Sequence, residues 1–276
     1  MPKAPKAPKA PWRVAIITSV PAVAADYVER VRGLGHEPVV AIAARPGVDV
    51  NAFVEGTEGL DVVVPASRHA LASILKAYTA DLALCGGYPW RVPQEAIDAV
   101  RLGIVNAHIG MLPRYRGPYP VAWAIRNGET EAGLSYHFMD ADFDTGNLLA
   151  QSAIPVDDGD DWESLWPKFS NADRELLPRV FERLAAGDRG DPQKDGEYYR
   201  DFEPEYEVVD TNQPAAVVHR QVRAWRFMPP ARRRGPILER NGGRRRLTRT
   251  SLEEVAGAER LDCADGPLWI LDSTAA

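Results

Sequence analysis

The sequence has few cysteines. Only Cys85 and Cys263 occur in 276 residues, one in an apolar stretch and one near the C-terminus. Their surroundings lack the cysteine and histidine spacings of a disulfide framework or a zinc site. We therefore expect both thiols to be reduced, no bound metal, and a cytoplasmic location.

Long apolar runs and an excess of basic charge are also missing. No segment offers the roughly 20 consecutive apolar residues of a membrane span, and the N-terminus lacks the apolar core of a secretory signal. Lysine and arginine number 33 against 39 aspartates and glutamates, which gives a formal net charge of -6. This composition predicts a soluble protein without a membrane partner, and it argues against a general affinity for nucleic acid.

Short apolar runs alternate with amphipathic segments along most of the chain. The tail, residues 1–11, repeats Pro-Lys-Ala and is predicted to be disordered, because proline recurs too often for a helix. Five runs of strand length then follow, RVAIIT, PVVAIAA, DVVVPA, DLALCGG and GIVNAH, separated by segments with helical spacing. This rhythm predicts an α/β fold with a Rossmann-like, open, mostly parallel sheet and helices on both faces.

The composition changes after the α/β segment. Residues 161–186 have apolar residues at helical spacing, and the two prolines there predict a kink or two separate helices. The polar stretch GDRGDPQKDGEYYR marks a boundary, so we predict a domain at 12–188, a linker at 189–204 and a small domain at 205–276. The last contains one helical segment and the strand candidates PILER, RRLTRT and PLWILD, which predict a β-rich domain.

A polar constellation follows the fifth strand. Asn106 and His108 are two residues apart, so both side chains point to the same face of the sheet. Asp144 ends an acidic loop further along, and Arg114 and Arg116 could position an anionic group. An amide, an imidazole and a carboxylate suffice for acyl transfer, although a histidine at a strand end or an aspartate in a loop also serves purely structural roles.

The order and spacing of these residues resemble the folate-dependent formyltransferase family. The resemblance runs over about residues 80–185 and rests on three motifs, Asn-x-His, Leu-Pro-x-x-Arg-Gly and Asp-x-Gly. The matching positions are Asn106, His108, Leu112, Pro113, Arg116, Gly117, Asp144 and Gly146. Family members include methionyl-tRNA formyltransferase, glycinamide ribonucleotide transformylase and the sugar N-formyltransferases. The resemblance implies that residues 12–188 are the catalytic domain and that the C-terminal domain is similar to an oligonucleotide-binding-type barrel.

The resemblance also implies a donor and a set of roles. The donor is 10-formyltetrahydrofolate, the catalytic triad is Asn106, His108 and Asp144, and no metal is required. The pteridine is expected in a slot between the CGGYPW and HFMDAD loops. The implied donor-binding residues are Gly87, Tyr88, Met111, Leu112, Met139, Asp140, Ala141 and Asp142. In the expected mechanism an amine attacks the formyl carbon, Asn106 stabilises the oxyanion, and His108, oriented by Asp144, relays the proton.

The acceptor is less well defined by the sequence. In the tRNA enzymes of this family a basic insertion follows the second strand, whereas here that stretch has one arginine and no lysine, and the chain is shorter than usual for them. We therefore expect a small-molecule amine, either an amino sugar nucleotide or an amino acid derivative, with a tRNA less favoured. The alternatives are methionyl-tRNA formyltransferase and a 10-formyltetrahydrofolate hydrolase that uses water in place of the amine. Arginines at 232–234, 244–246 and 249 could contact phosphates or form a solvated face.

Overall fold

The computed structural model describes residues 10–44, 47–240 and 242–276, so residues 1–9 of the predicted tail lie outside the described residues. The described chain forms two compact units. The first contains the residues through His108 together with Ser135–Ala150 and Arg174–Gln193, and the second contains Ile109–Leu134, Gln151–Asp173 and Lys194–Ala276. The predicted limits at 12–188, 189–204 and 205–276 are continuous in sequence, whereas these units are not, and the limits stay a prediction.

The larger sheet has seven strands in the order β3-β2-β1-β4-β5-β6-β7. Strand β1 pairs in parallel with β2 and β4, β4 pairs in parallel with β5, and β5 pairs antiparallel with β6. The prediction of a Rossmann-like, mostly parallel sheet is confirmed. The strands are β1 (Arg13–Thr18), β2 (Glu37–Ala43), β3 (Val62–Val63), β4 (Leu82–Gly86), β5 (Ile104–His108), β6 (Glu131–Phe138) and β7 (Leu148–Pro155).

Strands β1, β2 and β4 are mostly apolar and mostly buried, as is typical of parallel strands covered on both faces. Ile17, Ile42 and Ala83 form one cluster with helical residues such as Leu71 and Leu75. Helix α1 begins with proline at its first turn, where a missing N–H is tolerated, and Gly35 follows it at φ 79°. The helices before the site are α1 (Pro21–Gly33), α2 (Val50–Gly56), α3 (Leu71–Ala77) and α4 (Gln94–Ile97).

The long helix α6 (Trp162–Ala185) is continuous, so the predicted division into two helices at Pro167 or Pro178 is wrong, and a kink at these prolines stays a prediction. Each proline removes one backbone donor. Burial of apolar residues along the whole helix, from Leu165 to Val180, offsets that loss.

The second unit contains a separate four-stranded antiparallel sheet in the order β10-β11-β9-β8. Helix α7 packs over it through Val218 and Val222, which meet Leu247 and Leu268 in one apolar cluster. The prediction of a β-rich C-terminal domain is confirmed. The remaining elements are α5 (Pro120–Arg126), α7 (Ala215–Arg226), β8 (Ile237–Arg240), β9 (Gly243–Ser251), β10 (Glu259–Cys263) and β11 (Gly266–Ala275). Across the described ranges, no helix combines the length and apolar character needed to cross a membrane.

Candidate active site

Asn106 and His108 lie at the carboxyl end of β5. Both are buried, with 8% and 6% of their surfaces exposed. The antiparallel register with β6 places His137 directly opposite Asn106. Polar side chains buried at the end of a parallel strand are where ligands bind in open α/β sheets.

The loop from Met139 to Asn147, here called the Asp144 loop, is closed at its base by a backbone hydrogen bond of 2.9 Å from Phe138 to Asn147. Inside it, Asp140 Oδ1 accepts hydrogen bonds from the Asp142 amide at 3.2 Å and from Thr145 Oγ1 at 2.6 Å. A Cβ at Gly146 would overlap the Phe138 carbonyl oxygen, so this position requires glycine. Asp144 itself has φ 57°, in the left-handed region that is uncommon for residues other than glycine.

The Asp144 carboxylate lies between two imidazoles. Its Oδ1 is 3.6 Å from His108 Nδ1 and 3.5 Å from His137 Nε2. The exposed fractions of the side chains are 14% for Asp144, 6% for His108 and 1% for His137. A carboxylate so placed can orient an imidazole and stabilise its protonated form.

The hydrogen bonds of His137 assign its neutral tautomer. Nδ1 is 2.8 Å from the Phe138 carbonyl oxygen, which only accepts, so Nδ1 carries the proton. Nε2 of the neutral ring then accepts from Asn106 Nδ2 at 3.1 Å. Because an amide nitrogen has two protons, this bond fixes the orientation of the Asn106 amide and leaves its second N–H for another acceptor.

Sequence reasoning missed His137. The only signal was its position in the strand before the Asp144 loop, and its relation to Asn106 depends on the β5–β6 register. Within the described residues, no group of three or more histidine, cysteine, aspartate or glutamate side chains is arranged to hold a metal ion.

Six of the predicted donor-binding residues belong to the first unit. Gly87 has φ 70°, its carbonyl accepts from Ser19 Oγ at 2.8 Å, and a Cβ there would meet only ordinary contacts beyond 3.7 Å. Tyr88 packs on the apolar cluster beneath the sheet, as does Met139. The Tyr88 hydroxyl is buried without a hydrogen-bond partner in the described structure, and burial raises its pKa.

The acidic residues of the Asp144 loop are already engaged. Asp140 organises the loop itself, and Asp142 forms an ion pair of 2.8 Å with Arg91, whose guanidinium also lies 5.3 Å from the Phe143 ring centre. Ala141 and Asp142 are exposed. Among the predicted donor-binding residues described here, Tyr88 therefore offers the clearest unmet hydrogen bond.

Met111 and Leu112 belong to the second unit. Leu112 is buried and its carbonyl accepts from Gln151 Nε2 at 2.7 Å, while Met111 lines a small recess with Gly133. The two nearby arginines have partners within the second unit, and their contact with an anion stays a prediction. Arg114 pairs with Glu129 at 2.5 Å, and the buried Arg116 donates to the carbonyls of Lys194 and Gly196.

The second unit also contains an apolar cavity of about 290 Å³, and Ile109 is one of its lining residues. Trp162 and Phe227 stand edge to face in its lining, with ring centres 5.2 Å apart. None of the nine lining residues is charged. They are Ile109, Pro118, Tyr119, Pro120, Val121, Ala122, Trp162, Phe227 and Pro229.

Comparison with known proteins assigns the chain to a family. The family model described as formyl transferase matches residues 38–181, more than half of the chain. The chain belongs to the formyl transferase family. Among curated formyl transferases, the methionyl-tRNA formyltransferase of Pelobacter propionicus is 34% identical over 65% of this chain and 59% of its own length. This chain therefore spans less than two thirds of that relative.

Two solved structures extend the comparison. HypX from Aquifex aeolicus in complex with tetrahydrofolic acid matches 95% of this chain and 44% of its own, with 20% identity and a TM-score of 0.67, which is a likeness of fold. The phosphoribosylglycinamide formyltransferase of Bacillus halodurans matches 63% of this formyl transferase and 95% of its own chain, with 27% identity and a TM-score of 0.54.

Proposed function

We propose that this chain is an N-formyltransferase that moves a formyl group from 10-formyltetrahydrofolate to an amine. The observation that carries the proposal is the distance of 3.6 Å between the Asp144 carboxylate and Nδ1 of His108, which ends the strand that also presents Asn106. Membership of the formyl transferase family supports the same chemistry.

His108 is proposed as the group that moves the proton. With Nδ1 directed at Asp144, Nε2 is the nitrogen that takes the proton from the attacking amine. The Asp144 charge stabilises the imidazolium that results. At 3.6 Å the carboxylate is close enough to orient the ring, and catalytic contacts of this kind shorten when substrates bind.

Asn106 is proposed as the donor to the developing oxyanion. One N–H of its amide is given to His137, so the second can face the formyl oxygen. A donor held in place before the reaction stabilises charge without reorganisation, and one such donor is worth about 10²–10³ in kcat.

The residues beside the triad fit the folate donor, which when bound would supply the formyl carbon and the nitrogen that leaves. Without a side chain, Gly87 allows a ligand to approach its backbone, and the buried Tyr88 hydroxyl has an unmet hydrogen bond that a heteroaromatic ring could satisfy. Tyr88 and Met139 would contact the ring system, and the Asp144 loop would cover it.

For the acceptor, we propose a small amino acid derivative with an apolar side chain. The cavity of about 290 Å³ in the second unit has apolar and aromatic walls and no charged lining residue. Such walls bind an apolar side chain by burying its surface, whereas an amino sugar nucleotide requires cations for its phosphates. The cavity thus favours one of the two small-molecule classes expected from the sequence.

Methionyl-tRNA is the second candidate. It is supported by the name of the curated relatives and is compatible with the same cavity, because methionine is apolar. Against it, most of the C-terminal arginines already have partners within the second unit. Four form ion pairs, Arg232 with Asp201, Arg234 with Glu207, Arg244 with Glu239 and Arg245 with Glu259, and Arg233 donates to the carbonyls of Arg226 and Met228.

The test is a comparison of acceptors with 10-formyltetrahydrofolate, in which the absorbance of released tetrahydrofolate and the mass of the product are followed. The panel contains L-methioninamide, L-norleucinamide, L-serinamide, an amino sugar nucleotide and initiator methionyl-tRNA. We expect the two apolar amides to be formylated with a kcat/KM at least tenfold above that of L-serinamide. Efficient formylation of the tRNA alone would overturn the small-molecule proposal and leave the catalytic roles intact. Formate release without any acceptor would indicate the hydrolase.

A cavity-filling variant sharpens this test. Ala122→Leu places extra volume in the cavity, so KM for L-methioninamide should rise about tenfold while kcat changes little. Ala99→Leu, at a partly buried position outside the cavity lining, is the control for added volume. An unchanged KM in Ala122→Leu would exclude this cavity as the acceptor site.

A further inference from the structure

The backbone of Asp144, which has a left-handed conformation, accepts a hydrogen bond from the side chain of Gln193. Gln193 Nε2 donates to the carbonyl of Asp144 at 3.0 Å and to that of Gly146 at 2.6 Å. Asp144 lies at φ 57°, and the two accepting carbonyls flank Thr145. One amide thereby bridges the turn that presents the Asp144 carboxylate.

The segment that leads to Gln193 belongs to the first unit and is fixed there by hydrogen bonds and ion pairs. Leu148 and Asp191 exchange two backbone hydrogen bonds of 2.8 Å, and Asn147 Nδ2 donates to the Arg189 carbonyl at 2.9 Å. A Cβ at Gly190 would approach the Leu148 carbonyl to 2.8 Å, so the backbones lie in close contact there. Arg183 pairs with both Asp188 and Asp191.

The chain directly after Gln193 is held within the second unit. The buried Arg116 donates to the carbonyl of Lys194 at 3.0 Å and to that of Gly196 at 3.3 Å. A Cβ at Gly196 would overlap the Pro113 carbonyl oxygen. Gln193 is thus the last residue of a stretch that is fixed within the first unit, and the chain after it has its own contacts within the second unit.

We propose that Gln193 is a positioning residue for Asp144, which it keeps in the left-handed conformation that directs the carboxylate at His108. This inference rests on the proposed function, in which Asp144 orients His108. The two protons of one amide nitrogen match the two carbonyl acceptors, and an ionised glutamate in the same place would have none to donate.

The decisive variant is Gln193→Met, which preserves length and neutrality and removes the donor. Because small misplacements of catalytic groups are costly, we expect kcat to fall at least about tenfold, with the Kd for 10-formyltetrahydrofolate within twofold of wild type. Gln213→Met, at an exposed glutamine of the second unit, is the matched control and should leave kcat unchanged.

A double-mutant cycle separates positioning from a general structural effect. If Gln193 acts through Asp144, Gln193→Met should lower kcat less than twofold when added to Asp144→Asn, because the group it positions is already lost. Equal losses in both backgrounds would overturn the proposal, as would a Gln193→Met kcat within twofold of wild type. Should Gln193→Met fail to unfold cooperatively, Gln193→Asn, which keeps the amide but shortens its reach, takes its place under the same criteria.

A spectroscopic measurement distinguishes failure of this inference from failure of the proposed function. The Cε1–H resonance of His108 is expected to shift in Gln193→Met in the same direction as in Asp144→Asn, with no further shift in the double variant. This signature requires no turnover, so it supports Gln193 as a positioning residue even if every acceptor proves inactive. A wild-type resonance in Gln193→Met would overturn the inference even if formyl transfer were established.

Discussion

Charged side chains are used in opposite ways in the Asp144 loop and in the C-terminal sheet. In the loop, the mostly buried Asp144 carboxylate lies 3.5 to 3.6 Å from two imidazoles. In the sheet, Arg244 and Arg245 form pairs of 2.9 and 2.5 Å with glutamates, and these groups are partly exposed to solvent.

The two regions differ in burial and in the kind of partner that each charge has. Buried charged groups interact more strongly than exposed ones, because the low dielectric of the protein interior strengthens each contact. Exposed pairs contribute little to stability and are screened by salt. The number of charges in a segment is therefore a poor guide to its chemistry, and four predictions test this contrast.

The largest effect is expected in the buried region. His108→Ala should lower kcat about 10²–10⁴-fold, because the proton acceptor is removed, while the melting temperature and the Kd for the folate donor stay close to wild type. Single-turnover kinetics with L-methioninamide and donor-binding titrations provide the two readouts. If His108→Ala retained more than about a tenth of wild-type kcat, a loss below about 1.4 kcal/mol, His108 would not be the proton relay.

The next effect concerns the second histidine. His137→Leu removes the acceptor that orients the Asn106 amide, so we expect kcat to fall about 10- to 100-fold, less than the loss of the oxyanion donor itself. His69→Leu, at an exposed histidine, is the control. Addition of His137→Leu to Asn106→Ala should have little further effect, and additive losses would assign His137 a role independent of Asn106.

A small effect is expected on the C-terminal sheet. The double variant Arg244→Gln, Arg245→Gln should change kcat/KM for a small amine less than about twofold, since exposed pairs are worth about 0–1 kcal/mol. Glu239→Gln, which breaks one of the pairs from the acidic side, is the matched control. A loss of activity specific to methionyl-tRNA, with a flatter dependence on salt, would identify these arginines as phosphate contacts.

The smallest effect is a pH dependence of stability. Burial lowers the pKa of His219, whose Nδ1 lies 2.8 Å from Thr250 Oγ1. The unfolded chain then binds more protons than the folded one, so the stability contribution is present above about pH 6.5 and is lost as pH falls through the lowered folded value. Urea unfolding at pH 7.5 and 5.5 should give a smaller pH difference in His219→Gln than in wild type. If the change in unfolding free energy between pH 7.5 and 5.5 were the same in His219→Gln and wild type, His219 would not be a source of the pH dependence.

Part of the fold could be predicted because buried parallel strands have continuous apolar runs in the sequence. RVAIIT predicted β1 residue by residue, and GIVNAH predicted β5 and the side on which Asn106 and His108 emerge. The division of α6 at its prolines was predicted wrongly, because the local cost of each proline is visible in the sequence and the burial that offsets it is not.

The site could be predicted only where its residues are close in sequence or carry a family motif. His137 is 31 residues from Asn106 and meets it through strand pairing. Gln193 is 49 residues from Asp144 and meets it after α6, where the chain pairs with Leu148 through Asp191. Neither relation has a period or spacing in the sequence. Likewise, Arg116 belongs to a recognisable motif, yet its role in holding the Lys194 carbonyl depends on a segment 78 residues away.

The requirement for glycine at position 146 has a consequence for engineering this protein. Because a Cβ there would collide with the Phe138 carbonyl, a saturation library of the Asp144 loop loses nearly all members in which the glycine codon changes. Ala141 and Asp142 are exposed in the same loop. Diversity confined to those two codons should therefore yield mostly folded variants, from which altered donor preferences can be selected.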